Sequence, residues 1–269
     1  MDAIPCYQGP FCERCNVERK GPELNLPAFP IQVPIPRRPP GFAYAGGMAS
    51  APVQLEAFLD LMCPDSKAAY PTMKQVAKEY GNSTLRFTAH LFPLPYHRTA
   101  FIAAQGVFVA AEGGSDMVWK WMDAIFEQQD DYKMPRTNDM SDTQIINKLA
   151  MVAESVGISS KNFTSQVNSM EHMVYEDARV AWKYGCIRGV AGTPWYLLNG
   201  VPVNASPNWT VAQWKQIIDS LLHSGASVKT TMVDSSNCPA HEKQCDYLPG
   251  KFECCTKGEN CIPNVGCRC

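Results

Sequence analysis

Phe58-Leu59-Asp60-Leu61-Met62-Cys63-Pro64-Asp65-Ser66 is an apolar run that ends on a cysteine and a proline and then passes into helix-compatible sequence. Working outward from it, residues 53–62 read as a buried strand, with Val53, Leu55, Phe58, Leu59, Leu61 and Met62 supplying the apolar bulk. Proline suits the first position of a helix, where its missing N–H removes no hydrogen bond, so Pro64 predicts a helix start with Cys63 as its N-cap. A sulfur there faces unpaired backbone N–H groups and the positive end of the helix dipole, which favour thiolate over thiol. Asp65 opposes that by like charge, and Ser66 is placed to donate a hydrogen bond to the sulfur. A dithiol oxidoreductase needs a second cysteine to attack the mixed disulfide and release the partner. Ser66 stands three residues on from Cys63, and a serine cannot do this.

Gly189-Val190-Ala191-Gly192-Thr193-Pro194-Trp195-Tyr196-Leu197-Leu198-Asn199-Gly200 reads as a turn feeding a short buried strand that closes in a hairpin at Asn199-Gly200. Together with Cys63-Pro64 behind a strand, this stretch resembles the thioredoxin superfamily, and within it the bacterial disulfide-oxidase (DsbA) branch. Phe92-Pro93-Leu94-Pro95-Tyr96-His97-Arg98-Thr99-Ala100 resembles the lead-in to the helical insertion of that branch. The resemblance covers roughly residues 50–223. It implies an α/β thioredoxin fold with a helical insertion, a cis peptide before Pro194, and packing of Pro194 against Cys63. It also implies Cys63, Ser66 and Pro194 as catalytic positions and Thr193 and His97 as substrate-contacting ones; His97, at a helix start, reads either as tuning the thiolate or, the more common fate, as a solvated helix-end histidine.

Composition bounds the function classes. The chain has 269 residues, 45% hydrophobic and 19% charged, with a formal net charge of −2. These are globular values, and the absence of a long basic run argues against nucleic-acid or anionic-membrane partners. No apolar run reaches the roughly 18 residues a membrane span needs. Twelve cysteines fall as Cys6, Cys12 and Cys15, then Cys63 and Cys186, then seven from Cys238 onward. Asn82, Asn162, Asn204 and Asn208 open glycosylation sequons, Asn204 being the poorer acceptor because Pro207 follows its Ser206. Cysteine-dense ends and several sequons favour an oxidising, secretory compartment. The opening residues have no signal-peptide core, so the expectation is that such a peptide lies outside this sequence. No cofactor is expected, and a zinc reading of the two ends is the weaker alternative because the paired-cysteine spacing of a finger is missing.

Five segments are expected. Residues 1–20 bear cysteines, and 21–50 form a proline-rich extended arm with an alternative reading as a ligand for a proline-binding domain. Residues 51–223 form the thioredoxin-like domain, 224–237 a linker and 238–269 a cysteine-rich module. Within the domain, helix is predicted over 64–80, 98–111, 116–129 and 159–184, with a capping box at Ser141 and Gln144. Strands are predicted over 84–92, 195–198 and 201–204, and an amphipathic helix over 210–223. Trp119, Trp121, Trp182, Trp195 and Trp214 read as core or interface aromatics. Residues 127–131 read as a solvated acidic helix end, with a cation site as the weaker alternative.

The tail spacing Cys238-x6-Cys245-x8-Cys254-Cys255-x5-Cys261-x5-Cys267 resembles an inhibitor cystine knot (knottin). By that resemblance the bonds are Cys238–Cys255, Cys245–Cys261 and Cys254–Cys267. Odd cysteine counts at both ends then leave Cys269 to bridge to Cys6, Cys12 or Cys15, or to another chain. Two function classes stay open. Cys63 is a monothiol that forms mixed disulfides, or the domain is a redox-inactive scaffold serving extracellular protein binding or assembly, covalent oligomers included. A Cys63–Cys186 bond would silence the site or make it a switch, and a glutathione-dependent transferase is a third idea suggested by Phe92-Pro93-Leu94 and His97.

Overall fold

Two long parallel strands lie inside the five-stranded sheet. In a computed structural model that describes residues 35–36, 38–223, 238, 242–248, 251–257, 260–262 and 266–268, β2 (Val53–Leu59) runs parallel to β3 (Leu85–Leu91) from Val53↔Leu85 to Leu59↔Leu91. A parallel pair needs a crossover, and α1 (Pro64–Tyr80) supplies it. Layers on both faces explain why these strands read as apolar runs rather than alternating ones: Leu55, Ala57, Phe58, Leu59, Phe87 and Ala89 are all fully buried. β4 (Trp195–Leu198) adds antiparallel to β2, and β5 (Val201–Val203) closes the hairpin. The turn uses positive φ at Asn199 and Gly200, as an Asn-Gly hairpin requires. Pro202 lies on the edge strand β5, where no N–H is needed on the outer side.

The opposite edge brings a correction. Residues 42–43, placed by sequence in the extended arm, form the short strand β1 (Phe42–Ala43), antiparallel to β3, and the sheet order is β1-β3-β2-β4-β5. A two-residue strand between prolines and glycines carries no periodic signal. Packing holds it: the Phe42 ring lies 5.6 Å from Phe108, and the Arg38 guanidinium sits 4.1 Å above Phe42. The 1–20 segment, the first part of the arm and the 224–237 linker lie outside the described residues.

Between β3 and β4 comes the helical insertion: α2 (Ala100–Glu112), α3 (Ser115–Glu127), α4 (Asp142–Ser155), α5 (Ser160–Val167) and α6 (Met173–Ile187). This is the mixed α/β architecture expected. α2 is apolar all round and buried, and its small residues let α3 approach closely; a Cβ on Gly106 would stand 2.3 Å from the Trp121 ring. Trp121 fills that notch, packs 5.1 Å from Phe163 of α5 and donates its Nε1–H to Ala103 O at 3.1 Å. Ser141 and Gln144 form the reciprocal capping box that opens α4. The single helix predicted over 159–184 is interrupted instead at residues 168–172. His172 caps α6 by accepting Val174 N–H, a role for histidine that the periodicity does not reveal. Trp182 is 36% exposed on α6, so it is not a core residue. α7 (Val211–His223) seats the fully buried Trp214 5.1 Å from Tyr196. Among the described residues, no helix is long and apolar enough to cross a membrane.

Inside the sheet, Glu56 Oε2 lies 2.8 Å from His90 Nε2, with Arg188 3.9 Å from its other oxygen. The hydrogen bond to His90 holds the Glu56 carboxyl below its usual range, against the opposing effect of burial. A folded value below the unfolded one stabilises the protein above the ordinary carboxylate range and is lost as pH falls through the folded value. Glu56→Gln is therefore expected to cost about 1 kcal/mol at pH 7, with the parent and variant converging as pH falls through the lowered Glu56 value. Urea unfolding across pH measures this, and a pH-independent gap would contradict it.

The described residues divide into two compact units between Gln216 and Ile217. In the second, β6 (Lys243–Leu248) pairs with β7 (Lys251–Cys255), and β8 (Asn260–Ile262) with β9 (Gly266–Arg268). Cys245 is bonded to Cys261, and Cys238 to Cys254 rather than to Cys255. Strand geometry gives the reason. Cys245 faces Glu253 across the ladder, so Cys255, two residues on, shares its face, while Cys254 projects to the other side. Cys245 and Cys255 are both buried and form the apolar centre of this unit. The expected Cys238–Cys255 and Cys254–Cys267 pairs are thereby replaced; Cys255 is disulfide-bonded, and Cys269, Cys6, Cys12 and Cys15 lie outside the described residues. Each observed bond closes a separation of 16 residues, worth about 3 kcal/mol in the chain-entropy account.

Candidate active site

The strand expected to run to Met62 stops at Leu59, because Asp60 turns the chain. Its Oδ1 accepts Met62 N–H at 2.7 Å, and its backbone O accepts Cys63 N–H at 3.0 Å, the side-chain and main-chain halves of a tight turn. Its Oδ2 accepts Leu94 N–H at 3.0 Å and lies 2.6 Å from His97 Nδ1. Burial pushes the Asp60 carboxyl above its ordinary range, while the bonds from Leu94, Met62 and His97 pull the other way. Asp60 thus ties the end of β2 to the segment that leads into α2.

That turn delivers Cys63 to the N-cap of α1, with extended backbone angles and Pro64 at the first helical position. Cys63 O accepts Lys67 N–H at 3.1 Å, the first bond of the helix. Gln129, from the turn after α3, is fully buried and donates through Nε2 to both Leu61 O (2.8 Å) and Cys63 O (2.9 Å). The cysteine backbone is therefore clamped from the helical insertion as well as from the sheet. Across the site the Thr193–Pro194 peptide is cis, and Cys63 Sγ–H donates to Thr193 O at 3.2 Å. Sequence positions 130 residues apart meet here, which brings Cys63, Thr193 and Pro194 together. Cys63 is 5% exposed and unpaired.

Ser66 departs from its expected contact. Fully buried in the first turn of α1, its Oγ accepts Asp60 N–H at 3.3 Å, and no hydrogen bond joins it to the Cys63 sulfur. The helix turns the side chain three residues on toward the strand end rather than toward the N-cap sulfur. Cys186 is also free, but it is exposed near the end of α6 and not bonded to Cys63; burial of its surroundings still pushes its thiol up. Thr193 Oγ1, Trp195 Nε1 and Tyr196 Oη are buried without a hydrogen-bond partner beside the cis peptide. Burial first, then Asp65 and Cys63, pushes the Tyr196 phenol up.

Beside the turn opens a cleft of about 210 Å³. Met62 and Pro64, the two neighbours of Cys63, border it with Tyr96, His97, Tyr132 and Met134. His97 is partly exposed on this cleft. Sequence reasoning missed Asp60 and Gln129. Asp60 carried a signal, since a lone carboxylate in an apolar strand must find partners; Gln129 was hidden in what read as a solvated acidic run. No cluster of metal-ligating residues occurs among the described residues, the acidic run included.

The thioredoxin family model matches residues 43–220. The chain belongs to the thioredoxin family. Solved structures with a similar fold lie in the DsbA-like group of thioredoxin proteins. A double-alanine variant of alpha-DsbA1 from Wolbachia pipientis aligns at TM-score 0.55 and 14% identity, over 71% of this chain and 94% of that one. BdbD from Bacillus subtilis, in oxidised form, aligns at TM-score 0.54 and 17% identity, over 65% and 90%. The thiol-disulfide exchange protein alpha-DsbA2 from Wolbachia pipientis aligns at TM-score 0.52 and 15% identity, over 67% and 87%. At these identities the likeness establishes a shared thioredoxin fold. No curated protein matches the sequence.

Proposed function

We propose that this thioredoxin-family protein is a monothiol scaffold: Cys63 enters mixed disulfides with protein partners, and the domain completes no dithiol cycle of its own. The observation that carries this reading is the Cys63-Pro64-Asp65-Ser66 turn, with a free cysteine at the helix N-cap against the cis-proline loop and a buried serine where a resolving thiol would stand. Cys186, the other free cysteine of the domain, is not its partner. The setting proposed is extracellular, in keeping with the disulfide-bonded second unit and with the exposed sequons at Asn82, Asn204 and Asn208. Asn162 is exposed as well, within α5, where its Oδ1 accepts from Gln166, while Asn82 Nδ2 donates to Ala45 O. The cysteine-rich module, knottin-like in spacing though not in its Cys238 bond, then serves binding or assembly.

One observation favours a redox-inactive scaffold as the second reading, namely that Cys63 is almost wholly buried. Incubation of the full chain with oxidised glutathione, followed by peptide mapping, separates the two. The proposal expects an adduct on Cys63 that Cys63→Ala removes and Cys186→Ala leaves in place. Labelling of Cys186 with Cys63 untouched would support the inert scaffold.

A further inference from the structure

A monothiol site needs an external thiol to release its partner, and the structure assigns the acid–base work of that step to His97, held by Asp60, beside the mouth of the Cys63 turn. This inference rests on the monothiol reading. Three observations carry it. Asp60 Oδ1 and Oδ2 each already accept a backbone N–H, from Met62 and Leu94, so the carboxylate acts as an acceptor toward His97 Nδ1 as well. The Nδ1 proton then sits between the two, and Nε2 is left as the basic nitrogen of the ring. No described residue bonds Nε2, and the ring borders the same cleft as Met62 and Pro64 on either side of Cys63. The imidazole is thus oriented by a buried carboxylate, partly open to solvent, and set on a cleft lined by both chain neighbours of Cys63.

The chemistry is an exchange with no net oxidation. An alkyl thiol of the glutathione class enters the cleft and loses its proton to His97 Nε2. Its sulfur attacks the partner's sulfur in the Cys63 mixed disulfide, forming a new disulfide between the two incoming groups. The bond to Cys63 breaks, its electron pair stays on the Cys63 sulfur, and the His97 proton passes to that sulfur or to water. The base matters because only the thiolate attacks, and an ordinary alkyl thiol is largely protonated at neutral pH. The charged and titratable groups facing His97 are Asp60, Tyr96, whose ring lies 4.9 Å from the imidazole, and Arg98, Tyr132 and Lys133 of the cleft. Burial pushes the Tyr132 phenol up to about 12, so it stays protonated through the range in which an imidazole titrates. Arg98 is engaged by the carbonyls of Thr137, Asn138 and Met140, and Lys133 by Asp130.

The test loads full-length protein with glutathione on Cys63 and follows release by reduced glutathione with intact mass spectrometry from pH 5 to 9. His97→Gln is expected to slow release near pH 7 by roughly 10²-fold, a typical contribution of a positioned base, and to change the shape of the pH profile. Trifluoroethanethiol, more acidic and far more ionised near pH 7 than glutathione, is expected to lose much less in the same variant. That comparison within one variant separates base catalysis from a general loosening of the site, which would slow both thiols alike. Equal slowing with the two thiols, or no slowing, overturns the assignment of His97 alone. Failure of glutathione to load Cys63 at all overturns the monothiol reading and this inference with it.

Discussion

Ser66→Cys is expected to create a dithiol activity that the parent lacks. The parent should show no sustained turnover in oxidation of a reduced dithiol peptide or in reduction of insulin, because no second thiol lies within the turn. A cysteine at position 66 occupies the first turn of α1, fully buried like the serine it replaces and three residues from Cys63. Reaching Cys63 requires a rotamer that abandons the Asp60 N–H. The thiol is a weak acceptor in any case, so a stability cost of about 1 kcal/mol accompanies the gain of function. Turnover rising from background to a measurable rate, with a disulfide between Cys63 and the introduced cysteine found by mapping, is the expected result. Robust turnover by the parent would show that another thiol resolves Cys63.

Trp121→Ala should produce the largest loss of stability of any single core truncation in the helical insertion. The ring is fully buried, fills the notch left by Gly106, packs on Phe163 and donates to Ala103 O. Deleting it removes the transfer energy of a large aromatic and leaves a cavity in the notch over Gly106. An effect of about 3–5 kcal/mol is expected; the Ala103 carbonyl stays in the α2 helix and loses only the indole N–H. Denaturant unfolding monitored by far-UV circular dichroism measures the change, and a loss below about 1 kcal/mol would mean the insertion repacks freely.

Much of this architecture was legible in the sequence because its elements carry strong local signals. The buried run into Cys63-Pro64 pointed to the strand and the helix start, and Thr193-Pro194 with Asn199-Gly200 pointed to the turn and hairpin on the far side. What could not be read is non-local. Asp60 and His97 are 37 residues apart, and Gln129 is 66 from Cys63, so their contacts depend on how the insertion folds back onto the sheet. Ser66 was legible as an identity but not in its direction, since the helix sets where its hydroxyl points. β1 was too short to show a period, and the break between α5 and α6 depends on an unusual histidine cap. In the tail, spacing alone suggested one pairing of adjacent cysteines, whereas strand alternation put Cys254 and Cys255 on opposite faces and reversed the choice for Cys238.

Persistence of a mixed disulfide tests the central claim most directly. Full-length protein is exposed to a short peptide disulfide, excess reagent is removed without thiols, and intact mass is followed over hours with the Cys63→Ala and Cys186→Ala variants in parallel. The account predicts a single adduct on Cys63 that persists until an external thiol is added, and that is unaffected by Cys186→Ala. Spontaneous loss of the adduct with formation of a disulfide from Cys63 to another cysteine of the same chain would contradict it.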